Sequence, residues 1–208
     1  MEGGPSALRA LSQECSINRE LGRQLIHATF GLLFLVPLHM LGVYEFALLL
    51  LSDLIAGISV SLALRRGFHV PIAKELVDAF ERPDEMHIPG QGTLHFVMGL
   101  FLATIICPYT KVLDVTIIVL SVGDSASTIA GKAIGRTPIP YSPRKTVEGS
   151  LVGFTTAALA SLAWTGDVVI SILAAGVGML VESLPTLNDN VTIPVAVSVA
   201  LGFWWGLL

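Results

Sequence analysis

SVGDSASTIAGKAIGRTPIPYSPRKTVEGS, residues 121–150, decides the class of this chain. It sets Asp124, Lys132, Arg136, Arg144, Lys145 and Glu148 among glycines and serines, between flanks that are almost wholly apolar. Ionisable groups beside lipid are costly unless they are paired or functional. Outward from this stretch the chain is 53% hydrophobic and 13% charged, with a mean hydropathy of +0.75. Soluble domains carry about a quarter charged residues. These values predict an all-α, polytopic integral membrane helical bundle. The 208 residues form a single transmembrane domain, with 1–18 as a polar leading segment. The net charge of -4 says little about partners, because the placement of charge matters more than its sum.

Seven apolar stretches can be drawn, at 25–43, 44–64, 93–109, 112–131, 150–165, 167–184 and 191–208. A comfortable span needs about 20 residues, so the shorter ones are expected to tilt or take in polar flanks. None alternates in polarity, which excludes a β-barrel. The polar first two dozen residues lack a small-residue cleavage site after a short apolar core, so the first span is expected to be retained. Cys15 and Cys107 are far apart and show neither metal spacing nor a disulfide framework.

Basic residues fix the expected topology. With a cytoplasmic N-terminus and seven spans, every one of the twelve lysines and arginines except Lys111 falls on the inner side, a strong positive-inside signal. Tyr44, Tyr109, Trp164, Trp204 and Trp205 fall near the opposite interface, as aromatic belts do. The chemistry is therefore expected at the cytoplasmic face. PIAKELVDAF, within 67–90, carries Ile72, Leu76, Val77 and Phe80 at helical spacing; it suits an interfacial helix or a loop helix packed on the bundle.

On a helix over 121–136, Asp124, Thr128, Lys132 and Arg136 recur every four residues as a polar stripe, beside a stripe of Gly123, Ser127, Gly131 and Gly135. Small residues at this spacing permit close helix approach or access for a ligand. An aspartate in an apolar span is expected to coordinate something or to pair, here with Lys132. Arg144 and Lys145 suit phosphate at a helix N-terminus, although basic residues at this face also meet anionic lipid. Glu182-Ser-Leu-Pro-Thr-Leu-Asn-Asp189-Asn190 offers hard oxygen donors of the kind Mg²⁺ takes with substrate phosphates; helix capping by Asn188, Asp189 or Asn190 is the alternative. Arg19, Arg23 and His27 share one face at the start of the first span. Asp53 stands unexplained in the second span, and His39 and Glu45 are expected simply to meet water. Together the clusters predict a site for a nucleotide's phosphates and a metal at the membrane surface.

In their order, these clusters resemble the family of dolichol kinase, phytol kinase and CTP-dependent diacylglycerol kinase. ELGRQLIH at 20–27 resembles its amino-terminal arginine/histidine motif, and PGQGTLHFVMG at 89–99 its glycine-rich turn. GDSASTIAGKAIGR at 123–136, RKTVEGS at 144–150 and ESLPTLNDNVTIP at 182–194 resemble its most diagnostic stretches. The resemblance implies transfer of the γ-phosphate of CTP to the hydroxyl of a membrane lipid alcohol, dolichol or polyprenol first, with phytol or diacylglycerol as further acceptors. It implies a divalent cation, Mg²⁺ or another, held by Asp124 and Asp189 with Glu182. Lys132, Arg136, Ser142, Arg144, Lys145, Gly149 and Asn190 would bind the nucleotide, and Glu148 or Asp189 would accept the hydroxyl proton. Lys145 and Asp124 would also be catalytic, and His27 joins that set on resemblance alone. SPRKTVEG at 142–149 also resembles the phosphatidate cytidylyltransferases, which follow it with an aspartate-rich DRxD-type motif where this chain has ESLPTLNDN; the departure favours the kinase. A small transporter or lipid-binding membrane protein is the non-enzymatic alternative, disfavoured by the gathering of polar residues at one face. No nucleic-acid partner is expected, and the sequence is silent on oligomeric state.

Overall fold

The computed structural model describes residues 20–68, 70–71, 89–185 and 188–207. Arg19, Cys15 and the PIAKELVDAF segment from Ile72 onward lie outside the described residues. Seven helices run through the rest. They are α1 (Glu20–Leu41, with a turn at Phe34), α2 (Val43–Arg65), α3 (Gln91–Ile106), α4 (Thr110–Ile134), α5 (Val147–Thr165), α6 (Val168–Ser183) and α7 (Asp189–Trp204). The expected spans are met within a few residues, and α1 and α5 reach further into their polar flanks than hydropathy indicates. The chain is an all-α membrane helical protein. Between α4 and α5 the sequence reading has only a loop; the structure adds an antiparallel hairpin of β1 (Pro138–Ile139) and β2 (Ser142–Thr146).

The reversals have local causes. Gly42 (φ +94°) and Gly166 (φ +69°) adopt backbone conformations closed to most side chains and end α1 and α5. Side-chain caps then restart the helices: Thr146 accepts from the Gly149 amide, Asp167 from Val169 and Ile170, and Asn188 from Asn190. The odd-numbered helices start, and the even-numbered ones end, at a common end of the bundle.

Helix α4 is the axis. In its most apolar window 72% of the residues are buried, against 11% in α2 and 22% in α1 and α5, so the latter three face outward and α4 is enclosed. Val112, Val115, Ile117, Val119 and Leu120 are fully buried on it. The glycine stripe serves packing: a Cβ at Gly153 would lie 2.8 Å from Ser127 Cβ and 2.9 Å from the Gly123 carbonyl, and one at Gly149 2.8 Å from the Ser127 carbonyl. Helices α4 and α5 thus touch backbone to backbone, as small residues allow. Helices α1, α2, α4 and α5 are long and apolar enough to cross a membrane, whereas α3, α6 and α7 have 16 residues each. At 1.5 Å per residue that is about 24 Å, short of a bilayer core of about 30 Å. Each has one terminus at the end of the bundle indented by a polar cleft: α3 and α7 start there and α6 ends there.

Candidate active site

Four elements converge on that cleft. Within α4 the backbone widens to a π-turn over Val119–Gly123, a deformation frequent at functional sites, and Asp124 follows it directly. Glu182 comes from the last turn of α6, Asp189 from the first residue of α7, and Lys145 from β2. One oxygen from each of Asp124, Glu182 and Asp189 lies within 4.8 Å of the others. Lys145 Nζ donates to Glu182 Oε1 and to Asp189 Oδ2, each at 2.6 Å. Glu182, 1% exposed, also accepts from Ser127 Oγ at 2.9 Å and Ser150 Oγ at 3.3 Å.

Burial by itself would push the Lys145 ammonium down. The Asp189 and Glu182 carboxylates override it and hold the group above the ordinary lysine value. In this cluster three carboxylates face one ammonium. The donor set is all hard oxygen, the kind of ligand that divalent cations such as Mg²⁺ take. His27 strengthens the fit: its Nε2 is buried without a hydrogen-bond partner and lies 3.9 Å from Asp124 Oδ2. The ring meets the Leu120 carbonyl of the π-turn and stands edge-on to Phe96 at 5.1 Å between centroids. An orphaned polar atom of this kind is rare in a folded protein without a ligand in view.

The cleft encloses about 1360 Å³. Asp124, Lys145, Asp189, Glu182, His27, Lys132, Ser142, Arg144 and Asn190, all singled out in the sequence, line it. Arg136, Glu148 and Gly149 do not. The Glu148 carboxylate accepts from the Arg136 and Thr137 amides (3.1 Å each) and from Thr137 Oγ1 (2.9 Å), so it fastens the hairpin to α5. The expectation of Glu148 as a candidate base thus meets a carboxylate engaged with the hairpin and outside the cleft lining. Gly149 serves helix contact, as above. Lys132 pairs with Glu20 at 2.7 Å rather than with Asp124, which frees Asp124 for the cluster. Asp53 lies outside the cleft on α2.

Sequence reading missed several supports. Glu20 binds both Lys132 and Arg23, tying the start of α1 to the end of α4. The Asn188 amide meets His95 Nδ1 at 2.9 Å, steadying the turn that presents Asp189. Tyr141 Oη meets Ser183 Oγ at 3.1 Å, joining the hairpin turn to the end of α6. The Glu20–Lys132, Asn188–His95 and Tyr141–Ser183 contacts join residues 42 to 112 positions apart, and no local pattern reports such pairs. His39 does not simply meet water: its Nε2 lies 2.8 Å from Oδ1 of the buried Asp114, with Trp164 against its ring.

Comparison with known proteins follows the same geography. An uncharacterized protein of Methanocaldococcus jannaschii is 28% identical, over 86% of this chain and 91% of its own. The probable phytol kinase 2, chloroplastic, of Oryza sativa is 28% identical over 88% of this chain. The farnesol kinase, chloroplastic, of Arabidopsis thaliana is 26% identical over 88%. The chain spans just under two thirds of these two plant proteins, 66% and 65%. No solved structure matches. The model of the cytidylyltransferase family matches residues 26–189, a stretch that contains His27, the π-turn, Lys145 and all three carboxylates, and the chain belongs to that family.

Proposed function

We propose that this protein is a CTP-dependent lipid kinase that transfers the γ-phosphate of CTP to the hydroxyl of a membrane prenyl alcohol. One observation carries the reading: the Asp124–Glu182–Asp189 cluster with Lys145 shares its cleft with an apolar stretch of Phe30, Phe34, Phe96 and Val97. Such a cleft suits a substrate pair of which one member is highly anionic and the other is a lipid. The names of the plant relatives, phytol kinase and farnesol kinase, support an alcohol of that size before dolichol.

In this reading Asp124, Glu182 and Asp189 hold Mg²⁺, which when bound would offset triphosphate charge. Lys145, Lys132 and Arg144 face the phosphates, with Ser142 and Asn190 as hydrogen-bonding groups on the cleft wall. The alcohol oxygen forms its bond to the γ-phosphorus as the β–γ bridge bond breaks, and CDP leaves. The hydroxyl proton passes to His27 Nε2, whose free nitrogen faces Asp124. Phosphoryl transfer needs mainly positioning and charge stabilisation, so no stronger base is required. The basic residues gather at the cleft end of the bundle, which supports a cytoplasmic active site.

A second reading, CDP-lipid synthesis from phosphatidate, is favoured by the description of the matching family. Purified protein in lipid micelles with Mg²⁺ separates them, using CTP labelled at either the α- or the γ-phosphate and offering phytol, farnesol, polyprenol, diacylglycerol or phosphatidate. Entry of γ-label alone into an alcohol is expected. Entry of α-label into phosphatidate would replace the kinase by the cytidylyltransferase.

A further inference from the structure

Along α1, Arg23, His27, Phe30 and Phe34 all line the cleft. Their spacing puts them on one helical face, which changes from guanidinium to imidazole to two phenyl rings. On α3 the same change runs from Thr93 to Phe96 and Val97. Both helices begin at the polar end, so the two gradients run in parallel away from the carboxylate cluster. Beyond His27 and Thr93 neither helix offers the cleft a polar side chain. The distance from His27 to Phe34 is seven helical residues, about 10 Å.

Phe96 joins the two walls. Its ring is 6% exposed, stands edge-on to His27, and lies 5.7 Å from Phe34. Behind Phe34 stands the fully buried Phe46, at 6.4 Å. Phe30, by contrast, is 63% exposed. It borders the outward flank of α1, where Leu25 and Leu33 are also exposed. The cleft therefore has a polar head, an apolar arm and, in Phe30, a lining residue that is also exposed on the outward flank of α1.

We propose that this apolar arm holds the hydrocarbon chain of the acceptor, which enters from the bilayer past Phe30, and that Phe34, Phe96 and Val97 determine which chain shapes are accepted. The identity of the head group rests on the kinase reading above. A hydroxyl at the junction of head and arm lies beside His27 and Asp124, while the chain behind it meets only apolar side chains and leaves water, the usual source of affinity in such pockets. A soluble alcohol would have no use for the exposed ring of Phe30.

Two readouts from one preparation test this. Protein in phosphatidylcholine nanodiscs is irradiated with a prenyl alcohol carrying a diazirine in its tail, and adducts are mapped by mass spectrometry. Adducts on Phe30, Phe34, Phe96 or Val97 that unlabelled geranylgeraniol displaces are expected. Adducts confined to outward residues such as Leu33, Val36 and Leu48, and not displaced, would overturn the arm. Phosphate transfer from CTP is read in parallel. Displaceable arm adducts without transfer keep the arm and remove the kinase; transfer with outward adducts alone keeps the kinase and removes the arm. Val97→Phe narrows the arm and should lower kcat/KM for geranylgeraniol relative to geraniol by about tenfold. Phe34→Ala deepens it and should move the ratio the other way. Unchanged ratios in both variants would count against the specificity assignment.

Discussion

Lys145 Nζ lies 2.6 Å from Oε1 of Glu182, a carboxylate with 1% of its side chain exposed. Removing one partner of a buried pair strands the other charge, at a cost of about 3 to 5 kcal/mol. Lys145 is 24% exposed, which points to the lower end, about 3 kcal/mol. Lys145→Ala should therefore lower the thermal midpoint as well as abolish turnover. Lys145→Met combined with Glu182→Gln should recover most of the stability and none of the activity. A double variant as unstable as Lys145→Ala would show that the pair is not the source of the loss.

The same pair sets a pH dependence. Asp189 and Glu182 raise the folded-state value of Lys145 above 10.5 despite its burial. A raised group contributes stability that is fully present below its unfolded value and is lost as pH climbs through the folded one. The contribution of Lys145 should thus be constant from neutral pH to about 10 and fall only above 10.5. Melting curves of wild type against Lys145→Met should run parallel up to that point and converge beyond it.

Asp124 differs from Glu182 in having no lysine or arginine within ion-pair distance among the described residues; His27 Nε2 lies 3.9 Å away. Asp124→Asn keeps the shape and leaves no buried ammonium unpaired. It should fold with a midpoint near wild type, raise the Mg²⁺ concentration needed for half-maximal activity, and lower kcat by on the order of 100-fold. Normal turnover in the inserted variant would remove the metal assignment.

The fold was legible where it depends on composition, and the site where it depends on short spacings. Seven helices follow from apolar runs and their Gly, Thr, Asp and Asn punctuation, since hydrophobicity and capping are local properties. Asp124, Lys145, Glu182 and Asp189 were legible because charges flanked by apolar residues require an explanation. What pairs with what was not: Lys132 at i+8 from Asp124 looks like its partner on a helix, yet Glu20 on another helix takes it. Glu148 looked catalytic for its neighbours in sequence, while the hairpin that captures its carboxylate exists only once Arg136 and Thr137 have folded back. Nothing in the sequence around Asp114 marks it, because its partner His39 is 75 residues away.

That capture makes Glu148 a positioning residue. Its carboxylate satisfies two backbone amides and one hydroxyl that otherwise face solvent at the base of the hairpin carrying Ser142, Arg144 and Lys145. Glu148→Ala should raise KM for the nucleotide more than it lowers kcat, and Glu148→Gln, which keeps an acceptor oxygen, should recover part of the loss. A general base would behave otherwise, with kcat falling steeply in both variants and KM little changed.

Gly99 tests whether the geometry of the cluster depends on the packing of α3 against the first turn of α7. A Cβ there would lie 2.0 Å from the Asn190 carbonyl and 3.1 Å from Pro194 Cγ, and the first of these is backbone, which cannot swing aside. Gly99→Ala must push α7 away from α3, and α7 begins with Asp189. Overpacking of this kind costs about 1 to 3 kcal/mol, within what a bundle tolerates. The variant should insert and fold with a lowered midpoint, and its Mg²⁺ requirement should rise because Asp189 moves relative to Asp124 and Glu182. Gly176 is the control: it lies on α6, its nearest contact would be an ordinary 3.9 Å from Phe154, and Gly176→Ala should leave both quantities unchanged. Equal metal requirements in Gly99→Ala and wild type would mean that the first turn of α7 holds its place independently of α3.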